Sequence, residues 1–169
     1  ILGDSKFPNL IIKSLKRKKK DFFIIDLSKK NIFRKEKNSF RFSIGKFGSM
    51  IKLIKNKKSK KVLFAGKIHK PNFSKLRLDL KGILYMPSVI KASKQGDAAI
   101  IKSIINILEK EKIKVVRSNL FNTELTLKKG NYTHLKPIKD DKKTIQVGIN
   151  FFKKVKKLDH IQAIVVKKN

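Results

Sequence analysis

Short apolar runs alternate with segments of helical spacing along the chain, and this alternation constrains the fold more than any other feature. Phe22–Leu27 reads FFIIDL, and the later runs KKVLFAG and IKVV are also short and apolar. Continuous apolar runs of this length are typical of strands buried on both faces, as in parallel sheets. The intervening segments repeat their apolar residues every three or four positions, which indicates helices. The pattern predicts an α/β fold with a Rossmann-like, mainly parallel sheet flanked by helices.

Pro, Gly and Asp residues indicate the limits of the predicted helices. The first helix follows GDSKFP, and the second opens at Gly45. Pro87 predicts the start of a third helix that extends to about Gln95, because Pro is favoured in the first turn. Asp97 is predicted to cap the fourth helix. The residues expected on the inner face of that helix are Ile101, Ile104, Ile105 and Leu108.

The segment after IKVV is irregular and predicts a domain boundary. It contains Gly130 and Pro137 and has no clear period. We therefore predict a Rossmann-like N-terminal domain over residues 1–130. Residues 131–169 are predicted to form a linker, a helix and the first strand, IQAIVV, of an incomplete C-terminal domain. The chain opens with Ile1 rather than Met, so we also expect residues before it.

Lysine dominates the charge of the chain. Lys and Arg together number 44 against 12 Asp and Glu, a formal net charge of +32, and only five of the 44 are Arg. Such charge favours nucleic acid or an anionic membrane as a partner, although base-reading proteins favour the bidentate fork of Arg. A Lys-coated surface without a specific partner explains the composition equally well. The absence of Cys excludes disulfides and thiolate metal sites, and the absence of a long apolar run predicts a cytoplasmic protein.

Three glycine-containing junctions stand where α/β folds place ligands. The first, ILGDSKFP, leads into a helix N-terminus that would favour an anion, although it lacks the G-x-G-x-x-G and Walker patterns. The second, VLFAGKIHKPNF, adds basic side chains that could neutralise phosphate. The turns at Gly3 and Gly66 are expected to supply backbone N–H groups to the same phosphate. In the third, KQGDAAI, helix capping alone explains the Asp, and ordinary turns in a Lys-rich chain would explain the other two. The candidate binding residues are Gly3, Asp4, Ser5, Gly66, Lys67, His69, Lys70, Gly96 and Asp97.

Residues with catalytic or metal-binding chemistry are scarce. No two acidic residues have the spacing of a known metal motif, and His69, His134 and His160 are scattered along the chain. The residues by themselves therefore assign no catalytic group and no metal ligand.

Six segments occur in an order that resembles one enzyme family. They are ILGDSKFP, IGKFGSMIKLIK, VLFAGKIHKPNFSKL, MPSVIKASKQGDAAI, NTELTLKKG and KKLDHIQAIVV. Their succession resembles the LpxI-type UDP-2,3-diacylglucosamine pyrophosphatases of lipid A biosynthesis in Gram-negative bacteria. The resemblance implies a Mg²⁺-dependent hydrolase, peripheral to the inner membrane, that converts UDP-2,3-diacylglucosamine to UMP and 2,3-diacylglucosamine 1-phosphate (lipid X). It also implies a Rossmann-like N-terminal domain followed by a distinct C-terminal domain.

The family pattern transfers to this chain with departures. Asp4 and Ser5 replace glycines of the first loop, and Lys70 replaces the Arg of an Arg-Pro pair. Ala98 replaces the second acid of a G-D-D motif. The resemblance implies that the Mg²⁺ ligands belong to the C-terminal domain, of which this chain holds only the start. The residues that match family motifs unchanged are Gly3, Gly45, Gly48, Gly66, Gly96, Asp97, Glu124 and Thr126, and the last two join the substrate-binding candidates.

Two other functions stay open. A basic nucleic-acid-binding module would show steeply salt-dependent binding, although the few Arg residues and the absence of Trp argue against it. A non-catalytic remnant would bind the substrate without releasing UMP. The sequence also leaves open three further partners: a separate C-terminal domain, an anionic membrane surface, and a second copy of the chain in a homo-oligomer.

Overall fold

The computed structural model describes residues 1–69, 71–121, 126–128, 130–155 and 163–167. The chain divides into two compact units, Ile1–Thr126 and Leu127–Asn169. Strands and helices alternate in the first unit, and the second contains one described helix. The strands are β1 (Ile24–Asp26), β2 (Ser39–Arg41), β3 (Lys61–Val62) and β4 (Lys114–Val115), and the helices are α1 (Phe7–Arg17), α2 (Phe47–Asn56), α3 (Leu80–Ser93), α4 (Asp97–Lys110) and α5 (Lys139–Lys154), with 3-10 turns at Phe73–Lys75 and Ser118–Leu120.

The strands of the first unit pair in parallel around the segment that contains Leu2. β1 pairs with β2, and β3 pairs with β4. Leu2 forms parallel bridges to Asp26 in β1 and to Ala65, which follows β3. The Leu2 segment therefore lies between the two pairs. With this segment as the first strand, the order is third, second, first, fourth, fifth, as in Rossmann-like doubly wound sheets. The predicted α/β fold is confirmed.

Apolar side chains cover both faces of this sheet. Ile24 and Ile25 are adjacent in β1 and point to opposite faces, because side chains alternate along a strand. Ile24 packs in a cluster with α1, and Ile25 packs in a second cluster with α2 and α4. Burial on both faces explains why FFIIDL is apolar without alternation. The sheet is thus packed between α1 on one face and α2 and α4 on the other. The loops lie at the two ends of its strands.

The carboxylate of Asp79 joins the N-termini of α2 and α3. Its Oδ1 accepts hydrogen bonds from the N–H groups of Gly82 at 2.8 Å and Gly48 at 3.0 Å. Its Oδ2 accepts from the N–H and the hydroxyl of Ser49 at 2.8 and 3.0 Å. Burial raises the pKa of Asp79, but the donors of Ser49, Gly82 and Gly48 outweigh this effect, and the pKa lies below its usual range. One anionic side chain therefore satisfies orphan N–H groups of two helices.

The third helix begins earlier than predicted. α3 begins at Leu80, and Pro87 lies inside it. The preference of Pro for the first turn does not locate the start of this helix, because the side chain of Asp79 already caps it eight residues before Pro87. Pro87 cannot donate to the carbonyl of Ile83, but both residues lie on the exposed side of α3, where water can bond to that carbonyl.

The predicted capping role of Asp97 is wrong. The N-cap of α4 is Gly96, with a φ of 108°, and no side chain caps this helix. Asp97 is the first residue of α4, where its charge favours the positive end of the helix dipole. Most of the predicted inner face is confirmed, because Leu108 is buried, Ile104 packs against the same core and Ile105 is half-buried. Ile101 is 54% exposed instead, and Ile107 is buried.

In the second unit, α5 forms within the predicted region. The carboxylate of Asp141 accepts a hydrogen bond from the N–H of Ile138 at 3.1 Å, which stabilises the start of the helix. Gly148 is buried, and a Cβ there would contact the side chains of Ile164 and Val166 at 3.5 Å. The predicted strand IQAIVV falls partly outside the described residues, and the described stretch 163–167 forms no strand pairing. The assignment of 131–169 to the start of a second domain stays a prediction.

Candidate functional site

The candidate site lies where the Leu2 segment and β3 end side by side. We call the side of the sheet that is formed by the carboxyl ends of its strands the carboxyl edge. The chain leaves the Leu2 segment toward α1 and β1 on one side, while β3 lies on the other side. The strand order therefore reverses between these two segments. In open α/β sheets, ligands bind outside the carboxyl ends of the strands at this reversal. The structure brings Gly3, Asp4, Ser5, Gly66 and Lys67 together at this point.

Backbone hydrogen bonds join the two loops at this edge. The N–H of Asp4 donates to the carbonyl of Lys67 at 2.8 Å, and the N–H of Lys67 donates to the carbonyl of Asp4 at 2.6 Å. Gly66 has a φ of +88°, and a Cβ there would lie 2.7 Å from the carbonyl oxygen of Gly3. A Cβ on Gly3 would collide with the carbonyl of Lys67. Both glycines are therefore needed for the loops to approach each other.

This pairing corrects the expected source of backbone donors. The glycine turns were expected to supply free N–H groups to a phosphate, but the N–H of Gly3 donates to the carbonyl of Ala65 at 2.9 Å. Among the described residues, the N–H groups of Ser5, Lys6 and Phe7 have no hydrogen-bond partner. These donors stand at the N-terminus of α1, where the helix dipole also favours an anion.

Ser5 holds a backbone conformation that suits glycine. Its φ is 118°, in the range that L-residues rarely adopt. The family resemblance had placed a glycine at this position. Ser5 therefore keeps the geometry of a glycine loop at a cost in backbone strain.

The carboxylate of Asp4 is held at the centre of this edge. Its two oxygens lie 3.3 and 3.4 Å from the backbone nitrogen of Lys29, in the loop after β1. Its Oδ2 lies 3.7 Å from Nε2 of His69. Through these contacts Asp4 connects the first loop to the loop after β1 and to the segment after β3.

Three exposed lysines lie on the loops that meet at Asp4. Lys6 follows the first loop, Lys29 follows β1 and Lys67 follows β3, and all three side chains are exposed. The guanidinium of Arg41, at the end of β2, donates to the carbonyl of Lys29 at 3.0 Å. The sequence analysis missed Lys29 and Arg41, because their place beside the site depends on which strands are neighbours. For Lys29, its position shortly after the predicted strand FFIIDL was the available signal.

The other predicted site residues are not joined to this edge. Gly96 and Asp97 are exposed at the start of α4, and no hydrogen bond or ion pair of the described residues links them to the Gly3–Lys67 junction. Thr126 is exposed at the end of the first unit. Lys70 and Glu124 lie outside the described residues.

The described acidic residues do not fit a Mg²⁺ site. Mg²⁺ prefers oxygen ligands in octahedral geometry, and no group of three or more His, Asp and Glu side chains occurs in the described part of the chain. Asp26 is fully buried, and its Oδ1 accepts the N–H of Ser28 at 2.7 Å, while its Oδ2 has no partner within the described ranges. Asp4 alone, with His69, does not provide a divalent-cation site.

A second charged cluster, centred on Glu111, connects α2, α3 and the end of α4. The carboxylate is 9% exposed and accepts hydrogen bonds from Lys55 at 2.5 Å, from Lys81, and from the hydroxyl of Tyr85 at 2.9 Å. The Lys55 and Lys81 ammonium groups lower the pKa of Glu111 to about 2. Because every oxygen is engaged by protein donors, this cluster is structural.

A cavity in the first unit does not coincide with the candidate site. It measures about 580 Å³, and its lining includes Phe22 and Phe23 before β1, Ser59 before β3 and Lys61 at the start of β3. It therefore lies at the amino edge of the sheet. Charge, loop geometry and strand order all favour the carboxyl edge instead.

The fold and the site define the class of protein, and comparison defines the family. The class is an α/β protein of doubly wound strand order with a basic carboxyl edge. The model of the LpxI N-terminal domain matches residues 1–125, and the chain belongs to this family.

One curated relative is named UDP-2,3-diacylglucosamine pyrophosphatase LpxI, from Caulobacter vibrioides. This chain is 29% identical to it over 123 residues, which cover 73% of this chain and 44% of the relative. The chain therefore spans less than half the length of that protein. Within the part of the chain that the structure describes, no helix is long and apolar enough to cross a membrane.

Proposed function

We propose that this chain provides the nucleotide-sugar diphosphate-binding part of a UDP-2,3-diacylglucosamine pyrophosphatase in lipid A biosynthesis. The overall reaction adds water across the pyrophosphate bond and gives UMP and 2,3-diacylglucosamine 1-phosphate. Membership of the LpxI N-terminal domain family over residues 1–125 is the observation that carries the proposal. The basic carboxyl edge supports it, because a diphosphate needs several cations and N–H donors.

The roles follow from the geometry of the edge. Lys6, Lys29 and Lys67 offset the charge of the diphosphate, and the free N–H groups at the start of α1 orient one phosphoryl group. Asp4 keeps the loops in register. Phosphoryl transfer depends on positioning and charge stabilisation, and these residues provide binding and positioning without a group that activates water.

Some roles stay predictions of the family resemblance. These are the contributions of Lys70, Gly96, Asp97, Glu124 and Thr126 to substrate binding, and the action of the enzyme in the cytoplasm at the periphery of the inner membrane. The Mg²⁺ requirement also stays a prediction, as does the expectation that the ligands of Mg²⁺ belong to the C-terminal domain.

Direct binding is the test. Isothermal titration with UMP, UDP and 2,3-diacylglucosamine 1-phosphate should show binding by the full chain, and Lys67→Ala should weaken it about tenfold, since one charge-assisted contact is worth about 1.5 kcal/mol or more. Lys13→Ala is the matched control, because Lys13 is exposed on α1. Equal affinities for the two variants, or no binding by the parent, would contradict the proposed site.

Hydrolysis is measured in a second experiment. UMP release from UDP-2,3-diacylglucosamine with Mg²⁺ is followed for this chain alone and for the chain joined to the C-terminal part of the Caulobacter vibrioides relative. Activity of the joined protein supports a hydrolase function. Binding without UMP release in either protein would instead favour the non-catalytic substrate binder.

A further inference from the structure

One face of α3 is apolar and exposed along most of its length. Leu80, Ile83 and Leu84 are 87%, 59% and 69% exposed, and Pro87 and Ile90 are also exposed. At 100° per residue these five positions fall within about 120° of the helix circumference. We call them the α3 stripe. Scattered exposed apolar residues need no explanation, but a contiguous stripe marks an interaction surface.

The opposite face of α3 packs against the rest of the first unit. Gly82 and Ala92 are buried, and Lys81 and Tyr85 bind Glu111. The inward face thus combines small residues, the ion pair and Tyr85, with Met86 and Val89 half-buried, while the aliphatic side chains of the stripe point to solvent. A helix that needed its stripe only for the core of this unit would have the reverse arrangement.

All charged side chains of α3 itself are positive. α3 contains no acidic residue, and Lys91 and Lys94 fall in the same sector as the stripe at its C-terminal end, both exposed. Lys75 and Arg77 are exposed just before the helix. An aliphatic stripe with cations at both ends is typical of helices that lie in the interface of an anionic bilayer.

We propose that the α3 stripe docks on an anionic phospholipid surface. Charge complementarity favours this occupant over a second copy of the chain, because an isologous contact would bring two sets of like cations together. It also favours a bilayer over single-stranded nucleic acid, because the stripe is aliphatic and offers no aromatic ring for base stacking. The inference deepens the proposed function, on which its biological setting rests, by naming the surface that faces the membrane.

The test is vesicle binding by the full chain without substrate. Vesicles of phosphatidylcholine with about one third phosphatidylglycerol should bind the chain, and vesicles of phosphatidylcholine alone should bind it at least about tenfold more weakly. The double variant Leu80→Asp/Ile83→Asp should lower the partition coefficient on anionic vesicles by about tenfold or more. Leu10→Asp/Ile32→Asp changes the net charge equally at exposed apolar residues away from the stripe, and should have an effect of less than about threefold.

A second readout does not depend on loss of binding. The chain has no Trp, so Leu84→Trp places a single reporter in the stripe. Its emission should shift to the blue and be quenched by brominated acyl chains when anionic vesicles are added. An unshifted reporter on bound protein, or equal binding by the stripe and control variants, would overturn the proposal and assign binding to the general lysine surface. Self-association that the stripe variant abolishes would overturn it in favour of a second copy. Nucleotide binding without vesicle binding refutes the docking surface alone, and the reverse result refutes the proposed function alone.

Discussion

Replacement of Asp79 by Ala should destabilise the first unit more than the loss of an ordinary helix cap. The N-cap of α3 alone contributes about 1 kcal/mol. The same carboxylate also accepts from Gly48 and Ser49 at the start of α2, and hydrogen bonds to a charged acceptor contribute about 1.5 kcal/mol or more when buried. Because Asp79 is partly exposed, we discount the second contribution and expect a total loss of roughly 2–3 kcal/mol. For a unit of this size, that loss lowers the Tm by about 10 °C.

Asp79→Asn distinguishes the contribution of one carboxylate oxygen to stability from that of the other. The Asn carbonyl can still accept from Gly82 and Gly48, whereas its NH₂ group cannot accept from Ser49. We therefore expect about half the destabilisation of Asp79→Ala, measured by urea and thermal unfolding followed by circular dichroism. Asp97→Ala is the control, because this first-turn Asp has no capping hydrogen bond and should cost a few tenths of a kcal/mol.

The pH dependence gives an independent check of the same reasoning. Since the pKa of Asp79 is lowered in the folded state, its stabilisation is fully present above the unfolded pKa of about 3.9 and is lost as the pH falls through the folded pKa. The stability difference between the parent and Asp79→Asn should therefore shrink below about pH 4. A difference that stays constant to pH 3, or an Asp79→Ala variant as stable as Asp97→Ala, would refute the double-cap interpretation.

Three further substitutions test other features of the first unit. Ser5→Gly should stabilise the chain by about 1 kcal/mol in thermal unfolding, because it removes the strain of a positive φ; an unchanged or lower Tm would contradict that strain. Glu111→Gln should cost about 1–3 kcal/mol at pH 7, and it should flatten the loss of stability that the parent shows between about pH 4.3 and the lowered pKa of about 2; a parent-like acid limb would show that this carboxylate is not the titrating group. Gly66→Ala should destabilise by about 2 kcal/mol or more, because its Cβ would meet the carbonyl oxygens of the first loop at 2.7 and 2.8 Å; a stable variant that still binds UMP would mean that the loops separate easily.

The elements predicted well are those whose signal is local. Phe22–Leu27 contains β1 because its apolar run can be buried only in the middle of a sheet. α2 follows Gly45 because its apolar residues recur at helical spacing. The start of α3 was missed because its determinant is Asp79, whose partners in α2 lie about 30 residues away, and no local pattern reports them.

The site was predicted in part for the same reason. Gly3 and Gly66 were assigned to one edge because strands that run in parallel end together, and the structure places them there. The use of the Gly3 N–H within the sheet follows from strand register, which spacing along the chain does not contain. Lys29 and Arg41 become part of the edge only when β1 and β2 are known to be neighbours of the Leu2 segment.

The glycines and the lysines of this chain therefore have separate tasks. Gly3, Gly45 and Gly66 each lie where an added Cβ would meet a backbone carbonyl of another loop, so they maintain the close packing of backbone segments. In the proposed function, the charge of the ligand is offset mainly by lysines, whose ammonium groups are flexible point charges without the bidentate fork of Arg. Such a site would attract any phosphate ester and would not by itself distinguish uridine from another nucleoside. It follows that selectivity for the nucleotide and the acylated sugar has to come from contacts outside this edge, and that affinity at the edge should fall with rising salt concentration.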